Sequence, residues 1–493
     1  MAGDLRTAFD QVCRRLQLLT VSITVSLTVW HTIAVCSTVV YTVWLAVRTT
    51  RNHFGLGTSA YDFGLFDQGV WLVSQGQAPF VTLMGRNLFG DHTSFILLPL
   101  VPLFWVIGST GLLFVVQAVA LGIGALPIWK VTRVLLDSLP MACAAVVVYL
   151  AHPALTYTGL ENFHPDAALA PLIAWALYAA VSYRWVQYAA AVVLILLVKE
   201  DTALFVVALG AWVALRRDRR IGLLTMFGAI WIAFIMLFVV SRGIVGVPFR
   251  NAWRLPFGGL GGLLRTALLR PDKFLAHLVS GERPLYLLHL LAPVGFVALV
   301  RPEIALLGTL PLLANLVSTF WYQSQVEYHY AVQFVPILVI GAVYAISRMA
   351  EHWRTWLVSA MVTASLTCAY LWSPLPLMRT EVATWSPAHP SVAAAHAAIN
   401  QVPDDAVVAA FHTLTAHMAR RERIYVFPTP FRRVLYGPDV FAKGDRLPFA
   451  DEITHVVLPR VVSGEVEVDW EREREFFAVV YGNDWWTVYE RIR

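Results

Sequence analysis

The sequence predicts an all-α polytopic membrane protein: about eleven transmembrane helices, juxtamembrane helices in the first outer loop, and a small extracytoplasmic α/β domain at the C-terminal end. Composition, the recurrence of long apolar segments and one polar tail carry that prediction. The chain has 493 residues, 58% of them hydrophobic and 14% charged, where a soluble domain is roughly 45–50% apolar and about 25% charged. An ordinary soluble enzyme, a disordered chain and a fibrous protein are therefore excluded. The net charge of +5 is small. Basic residues on one side of a membrane set topology, so this charge implies no nucleic-acid partner.

The N-terminal stretch is polar and basic, and apolar sequence begins near Leu18. It runs on too long for the apolar core of a cleaved signal and has no small-x-small cleavage site, so it reads as a retained anchor. The predicted spans are 20–47, 111–131, 139–157, 167–183, 186–198, 202–215, 221–241, 284–300, 304–320, 330–347 and 354–372. Segment 94–108 is apolar too, but it has only about 15 residues and contains Pro99 and Pro102, where a crossing takes about 20. Charge decides its place. If it does not cross, Arg14-Arg15, Lys130 and Arg133, Arg184, Arg216 to Arg220, Arg301, and Arg348 with Arg354 all fall on one face, which the positive-inside rule makes cytoplasmic. Arg48 and Arg51 are the exceptions. The N-terminus is then inside and the C-terminal domain outside a cytoplasmic (inner) membrane.

Residues 1–372 form the transmembrane unit, with a first outer loop over 48–110 and a second long outer loop over 242–283; residues 373–493 form the polar tail. In the tail, SVAAAHAAINQV and TLTAHMARR read as helices, and AVVAAF, RIYVFP and THVVLP as strands. The cysteines, Cys13, Cys36, Cys143 and Cys368, form no CxxC, so neither a disulfide framework nor a zinc knuckle is expected.

With this topology the unusual polar residues collect on the outer face. The first outer loop holds Tyr61, Asp62, Asp67, Gln68, Arg86, Asp91 and His92. The next outer turns hold Glu161, His164 and Asp166, then Lys199, Glu200 and Asp201, then Glu327 and His329. Ionisable groups at a bilayer edge are expensive unless they line a wet cavity or serve a site, so four such groups on one face suggest one cavity. A desolvated carboxylate can act as a general base, and Lys199 or Arg86 could neutralise a phosphate leaving group. Lys199 is one of only four lysines, with Lys130, Lys273 and Lys443, so a lysine there is less easily incidental. The three histidines beside acids could bind a metal or orient a phosphate, but no spacing matches a zinc signature such as HExxH. If a divalent cation such as Mg²⁺ or Mn²⁺ takes part, its candidate ligands are Asp62, His92 and His164. Each group also has an ordinary reading: Asp62 or Asp67 as a turn cap, Asp166 as a helix-start cap, Lys199-Glu200-Asp201 as a self-neutralised turn, and Trp71, Trp105 and Trp321 as an interfacial belt.

The motifs YDFGLFDQGVW, GDHTSFILLPLVPLFW, the Gln117 entry to a span, ENFHPDAALAPLIAWALYA, VKEDTALFVVALGAW and EYHYAVQFVPILVIGA carry a resemblance over about residues 20–460. As a set they resemble a large family of bacterial predicted membrane proteins defined by a domain of unknown function. That family looks like a branch of the GT-C glycosyltransferases, related to protein O-mannosyltransferases and lipid A aminoarabinose transferases. The resemblance implies a GT-C-like fold, a polyprenyl-phosphate-linked sugar as donor, and chemistry on the outer face. It makes Asp62 the first candidate for the acid of the first outer loop and Asp67 the second. It matches Lys199 to a lysine that faces the donor phosphate. Many relatives carry adjacent acids in that loop, where this chain has Asp62-Phe63.

The reading that follows is a membrane glycosyltransferase serving cell-envelope glycan or glycoprotein synthesis, acceptor unassigned. Asp62 is its base. Lys199 with Arg86, Arg250 or Arg254 stabilises the departing phosphate, and the remaining outer-face residues line the cavity. A transporter or flippase of a lipid-linked substrate is the alternative, although no internal repeat is visible. A non-catalytic envelope scaffold is the third.

Overall fold

The computed structural model describes residues 2–245, 250–437 and 440–492, with side chains from Thr28 onward save those of Arg250 and Ala252. Among the described residues, five helices are long and apolar enough to cross a bilayer, or six if one bent pair counts as a span. The first lies in α1 (Ala2–Phe54). Its 27-residue apolar portion, Thr28–Phe54, rises about 40 Å at 1.5 Å per residue, ample for a hydrocarbon core of about 30 Å. Val39, Val40 and Val43 stand exposed along it, as lipid-facing residues do.

The helix α2 (Leu65–Ser74) follows in the first loop. Helices α3 (Leu112–Ile123) and α4 (Ala125–Leu136) join through Gly124 into one 25-residue span. Helices α5 (Leu139–Ala151) and α6 (Pro153–Leu160) form the pair bent by 47°. Pro153 has no N–H to donate to the ladder, and His152 Nδ1 takes the Ala154 N–H at 3.2 Å instead. Helices α7 (Leu169–Val181), α8 (Trp185–Leu196) and α9 (Ala203–Arg216) have 13, 12 and 14 residues, short of a full crossing. Helix α10 (Arg219–Phe234) continues through a π-type stretch to complete the span Arg219–Val245. Helices α11 (Phe334–Ser347) and α12 (Glu351–Trp372) close the bundle.

Two sequence expectations change here. Segment 284–300 is not one helix. Arg283–Leu291 is helical, but Pro293 interrupts the ladder, and Gly295 and Phe296 take left-handed φ values of 58° and 56°. The chain therefore turns over in single 3-10 turns. Segment 304–320 is likewise a 3-10 turn leading into the nine-residue Thr309–Val317. The apolar stretch Phe95–Val106 forms a short broken helix with Pro99 inside. Trp105 and Val106 are exposed on it, and Trp105 Nε1 donates to the Ser74 carbonyl at 2.9 Å at the end of α2.

Small residues let the helices touch. A Cβ on Gly222 would stand 2.1 Å from the Ala214 backbone nitrogen, and one on Gly210 2.7 Å from that of Met226. Only bare glycines permit α9 and α10 to pack so closely, which is how membrane helices associate without a hydrophobic drive between them.

The C-terminal region has helix α13 (Pro390–Ile399) and a five-stranded mixed sheet. Its strands are β1 (Val408–Ala410), β2 (Ile424–Val426), β3 (His455–Pro459), β4 (Phe477–Gly482) and β5 (Trp486–Arg491). β1 lies between β2 and β3, parallel to both; β5 pairs antiparallel with β3 and with β4. The expected helix at TLTAHMARR shrinks to the four residues His412–Thr415. The hairpin β4–β5 was not anticipated.

This tail does not stand apart from the first outer loop. Val408, Ala410, Val457 and Val488 from the sheet share one buried cluster with Phe63, Leu83 and Phe114. Arg48, an exception to the charge rule, is held structurally. Its guanidinium donates to Thr384 Oγ1 at 2.6 Å and the Val382 carbonyl at 2.9 Å, which ties the linker to the end of α1.

Candidate active site

The loop entering α2 holds Asp62 in an unusual conformation. Tyr61 is extended, then Asp62 turns to φ 71°, ψ −66°. A positive φ is uncommon for a side-chain-bearing residue, and this pair of angles belongs to a strained three-residue turn. The neighbours hold it there. Ser59 Oγ donates to the Tyr61 carbonyl, and the Phe63 ring packs 4.6 Å from Phe114 and 4.7 Å from His53. Asp62 itself is half-buried, and its charge acts on His164 and Tyr328.

Asp67 is not part of this group. It lies inside α2 with 0% exposure and is held by Arg420 of the C-terminal region, Nε to Oδ2 at 3.0 Å and Nη2 to Oδ1 at 3.1 Å. Burial alone pushes its carboxyl up, with Arg420 pulling the other way. Gln68 is also turned inward. Its Nε2 donates to Thr82 Oγ1 at 2.8 Å and to the Arg421 carbonyl at 3.1 Å. The sequence placed both at the cavity; the structure gives them to the contact between loop and sheet.

Glu161, His164 and His329 meet at the mouth of α6. His329 donates its backbone N–H to Glu161 Oε2 at 2.7 Å, and His329 Nδ1 lies 3.2 Å from the same oxygen. His164 Nε2 is 3.4 Å from Glu161 Oε1. The two imidazoles stack at 3.6 Å, 20° from parallel. Burial pushes the Glu161 carboxyl up, but the charges of His164 and His329 outweigh it and hold the pKa well below the ordinary range. Burial pushes His164 down, yet Glu161 outweighs it and the pKa rises. Gln117, quoted above only for its place in a motif, orients the group: its Oε1 accepts the His164 N–H at 2.8 Å and its Nε2 donates to the Thr158 carbonyl at 3.1 Å.

Lys199 sits in the break between α8 and α9, in extended conformation before the 3-10 turn Glu200–Thr202. Thr202 Oγ1 closes the turn by donating to the Lys199 carbonyl at 2.8 Å. Nζ is 3.5 Å from Asp166 Oδ1 and 5.4 Å from the centre of the Tyr330 ring. Burial acts to remove its proton, but the carboxylates of Asp166 and Asp201 outweigh burial and raise the pKa. A buried ammonium results. Next to it, Glu200 accepts from the Thr93 N–H at 3.1 Å and pairs with His92 Nδ1 at 2.8 Å, pinning the first loop to the α8–α9 turn. Burial raises the Glu200 carboxyl, but His92 outweighs it and the pKa falls. Asp91 stands 3.8 Å from Arg86.

Part of this set borders a cavity of about 480 Å³, whereas Asp62, Arg86, Glu161, His164, Asp166, Glu327 and His329 are not among its lining residues. Asp91, His92, Lys199, Glu200, Asp201 and Arg254 give it a polar end; Leu204, Ala233, Leu237, Leu255, Leu260 and Ala314 give it an apolar wall. Arg254 reaches the Tyr330 hydroxyl at 3.5 Å and stacks 4.3 Å over the Phe320 ring. Its Nε is buried without a partner among the described residues. Tyr330, Asn251 and Gln323 also line the cavity and were missed; only Tyr330 carried a signal, as a neighbour of His329. Glu327 is exposed, its charge acting on Tyr157 and His289. The side chain of Arg250 lies outside the described residues. Tyr61 packs against the cluster between loop and sheet.

The expected metal set of Asp62, His92 and His164 is not assembled, since His92 is engaged by Glu200. Among the described residues the one group at ligand spacing is Glu161, His164 and His329, all within 4.8 Å. Two imidazoles and one carboxylate suit Mg²⁺ or Mn²⁺ poorly, as those ions favour oxygen. Near-parallel rings 3.6 Å apart also leave no nearby point in both ring planes, where an ion would sit.

Fold and site together define a class: a polytopic helical membrane protein with a largely apolar cavity that carries several charged groups. The chain superposes on ArnT from Cupriavidus metallidurans bound to undecaprenyl phosphate with a TM-score of 0.55 at 12% identity, covering 94% of this chain and 98% of that one. On the apo form the TM-score is 0.56 at 13% identity, with the same coverage of 94% and 98%. At these identities the likeness is one of fold alone. Residues 52–442 match the family described as "Predicted membrane protein (DUF2079)", and the chain belongs to that family. Among curated proteins none matches it in sequence.

Proposed function

We propose that this protein is a membrane glycosyltransferase. It takes a sugar from a polyprenyl-phosphate donor and transfers it to an acceptor at the outer face of the cytoplasmic membrane, N-terminus inside. The observation that carries the reading is the divided cavity. A buried ammonium, Lys199, and a guanidinium with an unpartnered nitrogen, Arg254, face the polar end, while the wall beyond is apolar. A lipid phosphate needs both. The phosphate lies between Lys199 and Arg254, and the isoprenoid tail leaves along Leu204, Leu237 and Leu260. The neighbour's bound undecaprenyl phosphate supports a ligand of that kind.

The reaction is an in-line displacement. The acceptor oxygen attacks the anomeric carbon, the bond from that carbon to the phosphate oxygen breaks, and polyprenyl phosphate leaves with the electron pair. Asp62 takes the acceptor's proton; such a base contributes typically 10²–10⁴-fold. Lys199 and Arg254 neutralise the charge growing on the phosphate, an effect of about 10²–10³-fold per preorganised donor. The ion pair of Glu161 with His164, and the hydrogen bond Glu161 accepts from the His329 N–H, fix the turn before Asp166, and Asp166 in turn aims Lys199. Arg254→Gln is expected to lower polyprenyl-phosphate release from a sugar donor by that factor in purified protein that remains folded. Unchanged release would detach Arg254, and with it the polar end of the cavity, from the reaction.

A further inference from the structure

A second cavity of about 480 Å³ opens at the other end of α9. Lys199 precedes this helix and Arg216 ends it, and the helix is about 20 Å long at 1.5 Å per residue. The lining is Arg216, Arg217, Arg301, Glu303, Tyr344 and Arg348: four guanidinium groups against one carboxylate, brought from the end of α9, the turn before Ala305 and the end of α11. The side chains are ordered by one another. Arg216 Nε lies 3.3 Å from Glu303 Oε2, the Tyr344 hydroxyl donates to the same oxygen at 3.1 Å, and Arg348 Nη2 donates to that hydroxyl at 3.0 Å. Arg217 donates to the Tyr183 hydroxyl at 3.2 Å and stacks 5.3 Å from the Trp212 ring, with its Nε buried and unpartnered among the described residues.

Arginines that only set topology need to lie on one face of the membrane. They need not converge on a cavity, where like charges repel. Convergence with a single counter-charge leaves the cavity short of an anion, and guanidinium forks match phosphate oxygens. The surroundings identify the carrier. Leu215, Val300 and Leu306 beside the arginines are exposed at 82%, 52% and 58%, a collar suited to acyl chains. Basic pockets between membrane helices recognise lipid headgroups in this way.

We propose that this cavity binds a phosphate-bearing anion, the headgroup of an anionic phospholipid, independently of the sugar site. The test titrates the purified full-length protein in micelles with phosphatidylglycerol, with phosphatidylcholine, and separately with inorganic phosphate. Binding is read by lipid retention in native mass spectrometry and by the melting temperature. Phosphatidylglycerol is expected to bind selectively. Each guanidinium removed in Arg216→Gln, Arg301→Gln and Arg348→Gln should weaken it about fivefold. Glu303→Gln should tighten it by a similar factor, a gain that no folding defect produces. Inorganic phosphate binding with the same variant dependence, and no lipid binding, would keep the anion site and overturn the headgroup. Equal retention of both lipids, or affinities untouched by either kind of variant, would overturn the site.

Discussion

Lys199 keeps a full charge where little water reaches it, because Asp166 lies 3.5 Å away. Removing one partner of a buried pair costs about 3–5 kcal/mol through the charge left behind. Lys199→Gln is therefore expected to lower thermal stability, and Lys199→Gln with Asp166→Asn to recover most of it without recovering transfer. Activity regained in the double variant would make Lys199 structural only. The pair of Glu161 and His164 gives a pH signature. Glu161 is held below its ordinary 4.5 by the neighbouring histidines, against burial, so its contribution is present above that pH and lost as pH falls through the lowered value. His164 is raised above its ordinary 6.5 by Glu161, against burial, so its contribution is present below 6.5 and lost as pH rises through the raised value. The stability deficit of Glu161→Gln, followed by melting temperature, should be largest between about pH 4.5 and 6.5 and shrink above it; a flat difference would mean the pair is not charged. At this scale the motifs singled out candidate residues but not their partners. Asp62 and Asp67 look alike in YDFGLFDQ. Only the strained turn at one and Arg420, remote in sequence, at the other tell them apart.

Among the elements, α2 joins loop to sheet. Asp67 and Gln68 project from it into contact with Arg420 and Arg421, while the loop just before it presents Asp62. Arg420→Ala leaves the Asp67 carboxylate buried and unpaired, so it should loosen the C-terminal region by about 3–5 kcal/mol. Faster proteolysis of the 373–390 linker would report it, whereas protection equal to wild type would show that the apolar cluster suffices. Asp67→Asn should then lower activity only as far as it lowers stability. Apolar runs revealed the long helices, since burial and lipid both select them. They did not reveal that 284–300 breaks, because the hydropathy of a 3-10 turn and of an α-helix is the same; Pro293 and Gly295 were the local signal. The β4–β5 hairpin went unread, although two β-rich runs lie either side of Gly482-Asn483-Asp484.

Across the whole molecule, the bundle brings charged loop residues and apolar helix residues together at one cavity. If the donor's tail leaves along the apolar wall, Leu237→Trp should raise KM for long-chain polyprenyl donors more than for a short-chain analogue, as steady-state kinetics would show. An equal change for both would move the tail elsewhere. The motif set carried the family and composition carried the membrane, because both are spread along the chain. The cavity depends on segments far apart in sequence, such as Arg254 beside Tyr330, and could be assembled only in three dimensions. The most direct test of the account is binding and turnover of radiolabelled polyprenyl-phosphate sugars by purified wild-type protein beside Asp62→Asn. Donor binding by both, with polyprenyl phosphate released by the wild type alone, is the expected result. Equal release by Asp62→Asn, or no donor bound by either, would contradict it.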